Sequence, residues 1–91
     1  MSESIPKNVV EYLVRRIEDN DIVTIILNDG ELITIDDGYY SISCYDGCTF
    51  DYPAFDDIYV TDDNLILVSQ LGWFESVMRV PLEQIIDFQI E

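Results

Sequence analysis

Along residues 6–18, PKNVVEYLVRRIE, apolar positions recur at helical spacing. Val9, Leu13 and Ile17 stand at i, i+4 and i+8, with Val10 and Val14 alongside. One apolar stripe of this kind predicts an amphipathic helix over 6–18. Pro6 suits its first turn, where a missing N–H costs nothing. Ser4 is the candidate cap, and Arg15 and Arg16 fall in the last turns, where cations suit the helix dipole. From Ile22 the period drops to two. The segment DIVTIILNDGELITI reads as strand, turn and strand. A two-residue Asp29-Gly30 loop would set Val23 against Asp36. A three-residue Asn28-Asp29-Gly30 loop sets Val23 against Ile35, Ile25 against Ile33 and Thr24 against Thr34. The second register sorts like with like and places Gly30 at the left-handed position of a turn with a bulge.

The stretch SISCYDGCTF follows the same logic. A three-residue Tyr45-Asp46-Gly47 loop sets Cys44 against Cys48, Ile42 against Phe50 and Tyr40 against Tyr52. Ser41, Ser43, Thr49 and Asp51 then share the polar face, and the two cysteines are neighbours on the core face. YPAFDDIYVTDDN reads as a loop or short edge element, because Pro53 opposes a central strand there. NLILVSQLGWFESVMRV is a third hairpin, expected to turn at Gln70-Leu71-Gly72 with Val68 facing Phe74. Both of its faces carry apolar residues, so Trp73 is either covered or offered to a partner. Pro81-Leu82-Glu83-Gln84 reads as one helical turn before a last strand, Ile85 to Ile90.

The 91 residues suffice for one domain, 1–91, with the helix at 6–18 and a β body over 22–91. At 48% apolar residues a packed core is expected. No apolar run reaches the roughly 18 residues of a membrane span, and MSESIPKNVV lacks the pattern of a signal peptide, so a cytoplasmic protein with reduced thiols is expected. Charge changes the picture most. Nineteen acids face four bases, a net charge of −15, against a magnitude of about 2–8 for an ordinary small domain. Direct binding to nucleic acid is disfavoured, because that needs clustered Lys and Arg. A basic partner is favoured. A halophilic or merely very soluble protein is the plain alternative.

The candidate chemistry is sparse. Two cysteines and no histidine cannot supply the four ligands of a zinc site. A cross-hairpin C-x-x-x-C lacks the helix start that activates redox cysteines. A disulfide is sterically conceivable but opposed by the expected compartment, which leaves two small buried hydrophobes as the simplest reading. TDDNLIL lacks the acid spacing of a calcium loop. No nucleophile, histidine or glycine-rich phosphate loop points to catalysis. No cofactor, metal, enzymatic activity or membrane association is expected.

A helix, then consecutive hairpins, then a strand after a short turn is the order of a small SH3-like barrel. Within that group IVTIILNDGELITI resembles the first motif of Sm-like proteins, DDNLILV their middle strand and RVPLEQIIDFQI the end of their second motif. The resemblance implies a mainly β fold with one N-terminal helix and a barrel of about five strands built from consecutive antiparallel hairpins. The RNA-binding loops of Sm-like proteins have no counterpart. The loop after Thr34-Ile35 reads DDGYY, and Arg79 is followed by Val80 and Pro81 rather than glycine.

Two functions remain. The first is a small acidic inhibitor that mimics nucleic acid and occupies the basic site of a DNA- or RNA-handling protein, as anti-defence proteins of phages and mobile elements do. Its contact candidates are the doublets Asp36-Asp37, Asp56-Asp57 and Asp62-Asp63, with Tyr39, Tyr45, Tyr59 and Trp73 as anchors. The second is a non-catalytic Sm-like assembly module, possible as a homo-oligomer, whose charge serves solubility.

Overall fold

In a computed structural model, which describes residues 4–44, 46–52 and 54–91, one α-helix precedes eight β-strands, with a single 3-10 turn before the last. Helix α1 spans Lys7–Glu18. Pro6 stands at its N-cap in extended geometry and makes no side-chain cap, nor does Ser4. The Pro6 carbonyl accepts from the N–H groups of Val9 and Val10. The C-terminus is a Schellman motif. Asn20 takes the left-handed position (φ 68) and donates its N–H to Ile17 O, while Asp21 N–H donates to Arg16 O. Asparagine is the common non-glycine residue there, because its short side chain tolerates positive φ. Val10, Leu13, Val14 and Ile17 form the buried stripe, as the spacing predicts.

Five strands form one antiparallel sheet. These are β1 (Val23–Leu27), β2 (Leu32–Asp36), β3 (Tyr39–Ser43), β4 (Thr49–Tyr52) and β8 (Ile85–Ile90), in the order β4-β3-β2-β1-β8. The first hairpin has the predicted register, with Val23 opposite Ile35, Thr24 opposite Thr34 and Ile25 opposite Ile33. The β3–β4 hairpin also has its predicted register, with Ile42 opposite Phe50 and Tyr40 opposite Tyr52. Both loops use one device. Asp29 Oδ1 accepts from Glu31 N–H and Asp46 Oδ1 from Cys48 N–H. Each is an aspartate closing on the backbone two residues on, followed by a glycine at positive φ. Between them, Asp37 (φ 49) and Gly38 (φ 81) make the two-residue β2–β3 turn, the backbone geometry of a type I′ hairpin.

The second sheet holds β5 (Asp57–Val60), β6 (Asn64–Leu71) and β7 (Phe74–Pro81), in the order β5-β6-β7. Here the predicted register fails. Leu71 pairs with Phe74, Val68 with Val77 and Leu67 with Met78. The loop is the pair Gly72-Trp73, not Gln70-Leu71-Gly72, and Gly72 (φ 69) leads it, as a type II′ turn requires. The slip moves Val68 from Phe74 to Val77. Apolar residues on both faces left the pattern no polar side to fix the register.

The expected closed SH3-like or Sm-like barrel of about five strands is not formed. The strands make two open sheets. β4 and β8 end one, and β5 and β7 end the other, so four edges lack a neighbour among the described residues. Closure fails where the chain leaves β4. Phe55 N–H donates to Gly38 O and Asp56 N–H to Val68 O, which carries the chain to the other sheet before β5 can pair with β4. The chain returns through Pro81 and the 3-10 turn Leu82–Gln84, and Ile85–Ile90 then pairs with β1, as the tail predicts. Pro53 lies outside the described residues.

One core joins the parts. The central sheet gives Val23, Ile25, Ile33, Ile35, Tyr40 and Ile42, the second sheet gives Ile58, Leu65, Leu67 and Val80, and α1 adds its stripe. α1 packs on β5 and β1. The strand β4 is exposed along its whole length. Phe50 and Tyr52 have the inward register yet remain exposed, and Cys48 with them. The expectation that both cysteines are core residues is therefore corrected. Cys44 is half-buried, and β4, as the last strand, overhangs the core.

Candidate partner-binding surface

Turn geometry puts the carboxylates where water meets the sheet ends. The β1–β2 and β3–β4 loops lie at one end, bringing Asp29, Glu31 and Asp46 around Cys44. Burial raises the thiol's pKa above its usual value, and these three charges add to the effect. Asp36, Asp37 and Tyr39 lie at the opposite end, in and beside the β2–β3 turn. The Phe55–Gly38 hydrogen bond (2.9 Å) brings Asp56 and Asp57 toward the same turn. Asp56 is engaged internally, its Oδ2 accepting from Gln70 N–H at 2.5 Å, and Asp57 Oδ1 accepts from Ile58 N–H.

The third doublet is elsewhere. Asp62 and Asp63 occupy the centre of the β5–β6 turn, held by Thr61 and Asn64 through paired side-chain and backbone bonds. They stand one strand length, about 13 Å by strand rise, from Asp57. Asp62 accepts from Lys7 Nζ at 2.9 Å. That hydrogen bond and charge hold the Asp62 carboxyl below the usual range and lift the Lys7 ammonium. Both groups are exposed, so the pair adds little to stability. The three doublets thus do not form one row. Two approach each other and one is partly neutralised.

Among the described residues, the only other ion pair is Arg16 Nε to Asp21 Oδ2, at 2.6 Å. Asp21 raises the guanidinium's pKa, and so does Tyr12, whose hydroxyl accepts from Arg16 and over whose ring the guanidinium lies. Most of the remaining carboxylates are exposed and without a cationic partner. No group of three or more Cys, Asp or Glu among the described residues is placed to hold a metal.

Of the aromatic candidates, Trp73 is 95% exposed at the tip of the β6–β7 hairpin, edge-on to exposed Phe74 at 6.3 Å. Tyr59 is exposed on β5, beside a groove under α1 that Glu11, Arg15 and Glu18 also line. Tyr45 lies outside the described residues. Tyr39 faces Asp36 across the β2–β3 pair.

Sequence reasoning missed what surrounds Tyr39. On the outer face, Asp51 pairs with Ser41 and Ser41 with Thr34. With Asp36, Tyr39 and Tyr52 they line a groove of about 290 Å³. On the opposite, inward face of the same strands Tyr40 stacks on Tyr52 at 4.9 Å and 7°. Burial raises the Tyr40 phenol's pKa and Tyr52 adds to this, while Ser69 opposes. The signal for Asp51 lay in the polar face of its hairpin, and only the β2–β3 pairing brings that face to Asp36. The chain matches no family model, no curated protein and no solved structure. No helix among the described residues is long and apolar enough to cross a membrane.

Proposed function

We propose that this protein is a non-catalytic acidic inhibitor of the cytoplasm, one that mimics nucleic acid and occupies the basic site of a DNA- or RNA-handling protein. The carrying observation is the scarcity of internal neutralisation. Nineteen acids are present, and Asp21 and Asp62 are the two in ion pairs among the described residues. An excess of exposed charge repels itself and weakens the fold, yet it speeds encounter with an oppositely charged site. Trp73, free at a hairpin tip, supplies the uncharged contact area on which tight interfaces depend.

The test is capture and competition. Immobilised protein is expected to retain, at low salt, a DNA- or RNA-handling protein that an added oligonucleotide or raised salt releases. Retention indifferent to the oligonucleotide, or none, defeats the proposal. A second reading, self-association through the free edge of β7, is favoured by that strand's eight residues and the exposure of Phe74 and Val77. Net charge opposes it, and a monomer in sedimentation at both low and high salt removes it.

A further inference from the structure

Of the four open sheet edges, three are guarded. β4 has only four residues and carries Asp51. β5 also has four, and α1 lies beside it, so that Ile58, Tyr59 and Val60 line one groove with the helix. β8 carries Asp87, and its register with β1 shifts between Ile26 and Leu27. Short length, charge, cover and bulges are the means by which proteins blunt an edge. β7 uses little of this. It runs for eight residues, Phe74–Pro81, in unbroken register with β6, and no strand among the described residues pairs with its outer side.

Its charge is also unlike that of the rest of the molecule. Residues 64–82, which hold both strands of this hairpin, have one acid, Glu75, and one base, Arg79. The whole net charge of −15 therefore lies on the rest of the chain. A second copy that approaches along β7 meets a neutral strand rather than the acids that repel it elsewhere.

We infer that the occupant of the β7 edge is β7 of a second copy, in an antiparallel two-fold pairing centred on Val77. The inference rests on the self-association reading and fixes its register. An axis through Val77 sets Glu75 opposite Arg79 of the second copy, and Arg79 opposite its Glu75. Opposite charges directly across two strands stabilise the pair, and like charges destabilise it. Both residues are exposed, and neither is in an ion pair among the described residues. Moving the axis to Ser76 sets Glu75 against Val77, moving it to Met78 sets Arg79 against Val77, and moving it to Glu75 sets two glutamates together.

The faces agree as well. Within the hairpin, Glu75, Val77 and Arg79 share the outer face, while Phe74 and Val80 stand opposite Leu71 and Leu65 on the core face. The Val77 axis continues both faces into the second copy and sets Phe74, 55% exposed, opposite its Val80. The result is isologous, one edge used twice. The sheet becomes six-stranded, in the order β5-β6-β7-β7-β6-β5.

The experiment is sedimentation equilibrium of the full chain and four variants at about 0.15 M salt, where charges more than about 8 Å apart are largely screened and contact pairs much less so. The unsubstituted chain is expected to dimerise. Glu75→Arg and Arg79→Glu should each weaken the dimer about tenfold or more, because each sets like charges across the axis twice. The double swap, Glu75→Arg with Arg79→Glu, should restore it to within a few-fold. Asp87→Arg, the same change of charge on β8, should not weaken it. Glu75→Arg is the decisive variant, since it makes each copy less negative and net charge alone predicts tighter association. Retained amide dispersion in each variant verifies the fold. A dimer that Glu75→Arg tightens, or that the double swap leaves broken, overturns the Val77 register and leaves self-association standing. A monomer at every concentration, at both low and high salt, removes both. The inhibitor reading is decided separately, by the competition assay.

Discussion

The middle of the five-stranded sheet and the free margins of the molecule are built from similar residues to opposite effect. In β1, β2 and β3, apolar side chains alternate with threonine and serine, and Ile25 and Ile33 face each other wholly buried. In β4 and at the tip of the β6–β7 hairpin, Phe50, Tyr52, Trp73, Phe74 and Val77 are exposed. The difference is in what stands opposite. The central strands have neighbours on both sides and a second sheet beneath, whereas the margins end their sheets. The first region carries stability. The second offers apolar area and open backbone edges for which the fold has no use.

The strongest way to break this contrast is a pair of truncations. Ile33→Ala leaves a cavity in the core and is expected to lower unfolding free energy by about 2–5 kcal/mol. Trp73→Ala should change it by no more than about 0.5 kcal/mol, while weakening capture of the partner. Denaturant melts of both variants decide the matter, and a comparable loss in the two would mean that the hairpin tip is packed.

Gly72→Ala sharpens it next. Nothing lies within 4 Å of the added Cβ, so the cost should be only that of a side chain at positive φ, about 1–2 kcal/mol. Urea midpoints measure it. A much larger loss would mean that the tip is coupled to the core.

A smaller effect comes from the boundary between the regions, at Tyr40. Its raised pKa means that the folded state holds the phenol proton more tightly than the unfolded chain does. That contribution is intact below the ordinary tyrosine value of about 10 and is lost as pH rises through the raised one. Tyr40→Phe should therefore show a shallower fall in stability above about pH 10, read from melting temperatures across that interval. An unchanged slope would place Tyr40 in water.

The smallest effect is kinetic. Burial first, then Glu31, Asp46 and Asp29, disfavour the Cys44 thiolate. Alkylation of Cys44 near pH 8 should be slower than that of free cysteine, and added salt should narrow the gap by screening the three charges. Mass spectrometry of the alkylated peptide follows it. A rate equal to that of free cysteine would make the β3–β4 loop fully solvated.

Where polar and apolar residues alternated strictly, pattern alone was sufficient. The β1–β2 and β3–β4 registers were legible because shifting either by one residue would bury Asp36 or Asp51 and expose isoleucine. The β6–β7 register was not, because Leu65, Ile66, Leu67 and Val68 present apolar groups on both faces. The Asp36–Asp51 groove was half legible. Each member of its polar rows could be assigned to a face, but the turn at Asp37-Gly38 that joins the rows was read only as a loop.

The sequence by itself determined the helix stripe, the aspartate-glycine loops, the closing strand and the excess of anions, since each depends on neighbours close in the chain or on composition. Only the tertiary structure decided that two sheets stay open, that β4 overhangs the core, and that Asp36, Tyr39 and Asp51 share one groove. Those outcomes depend on which distant strand each edge finds, and a strand's own residues say which side faces inward but not who lies beside it.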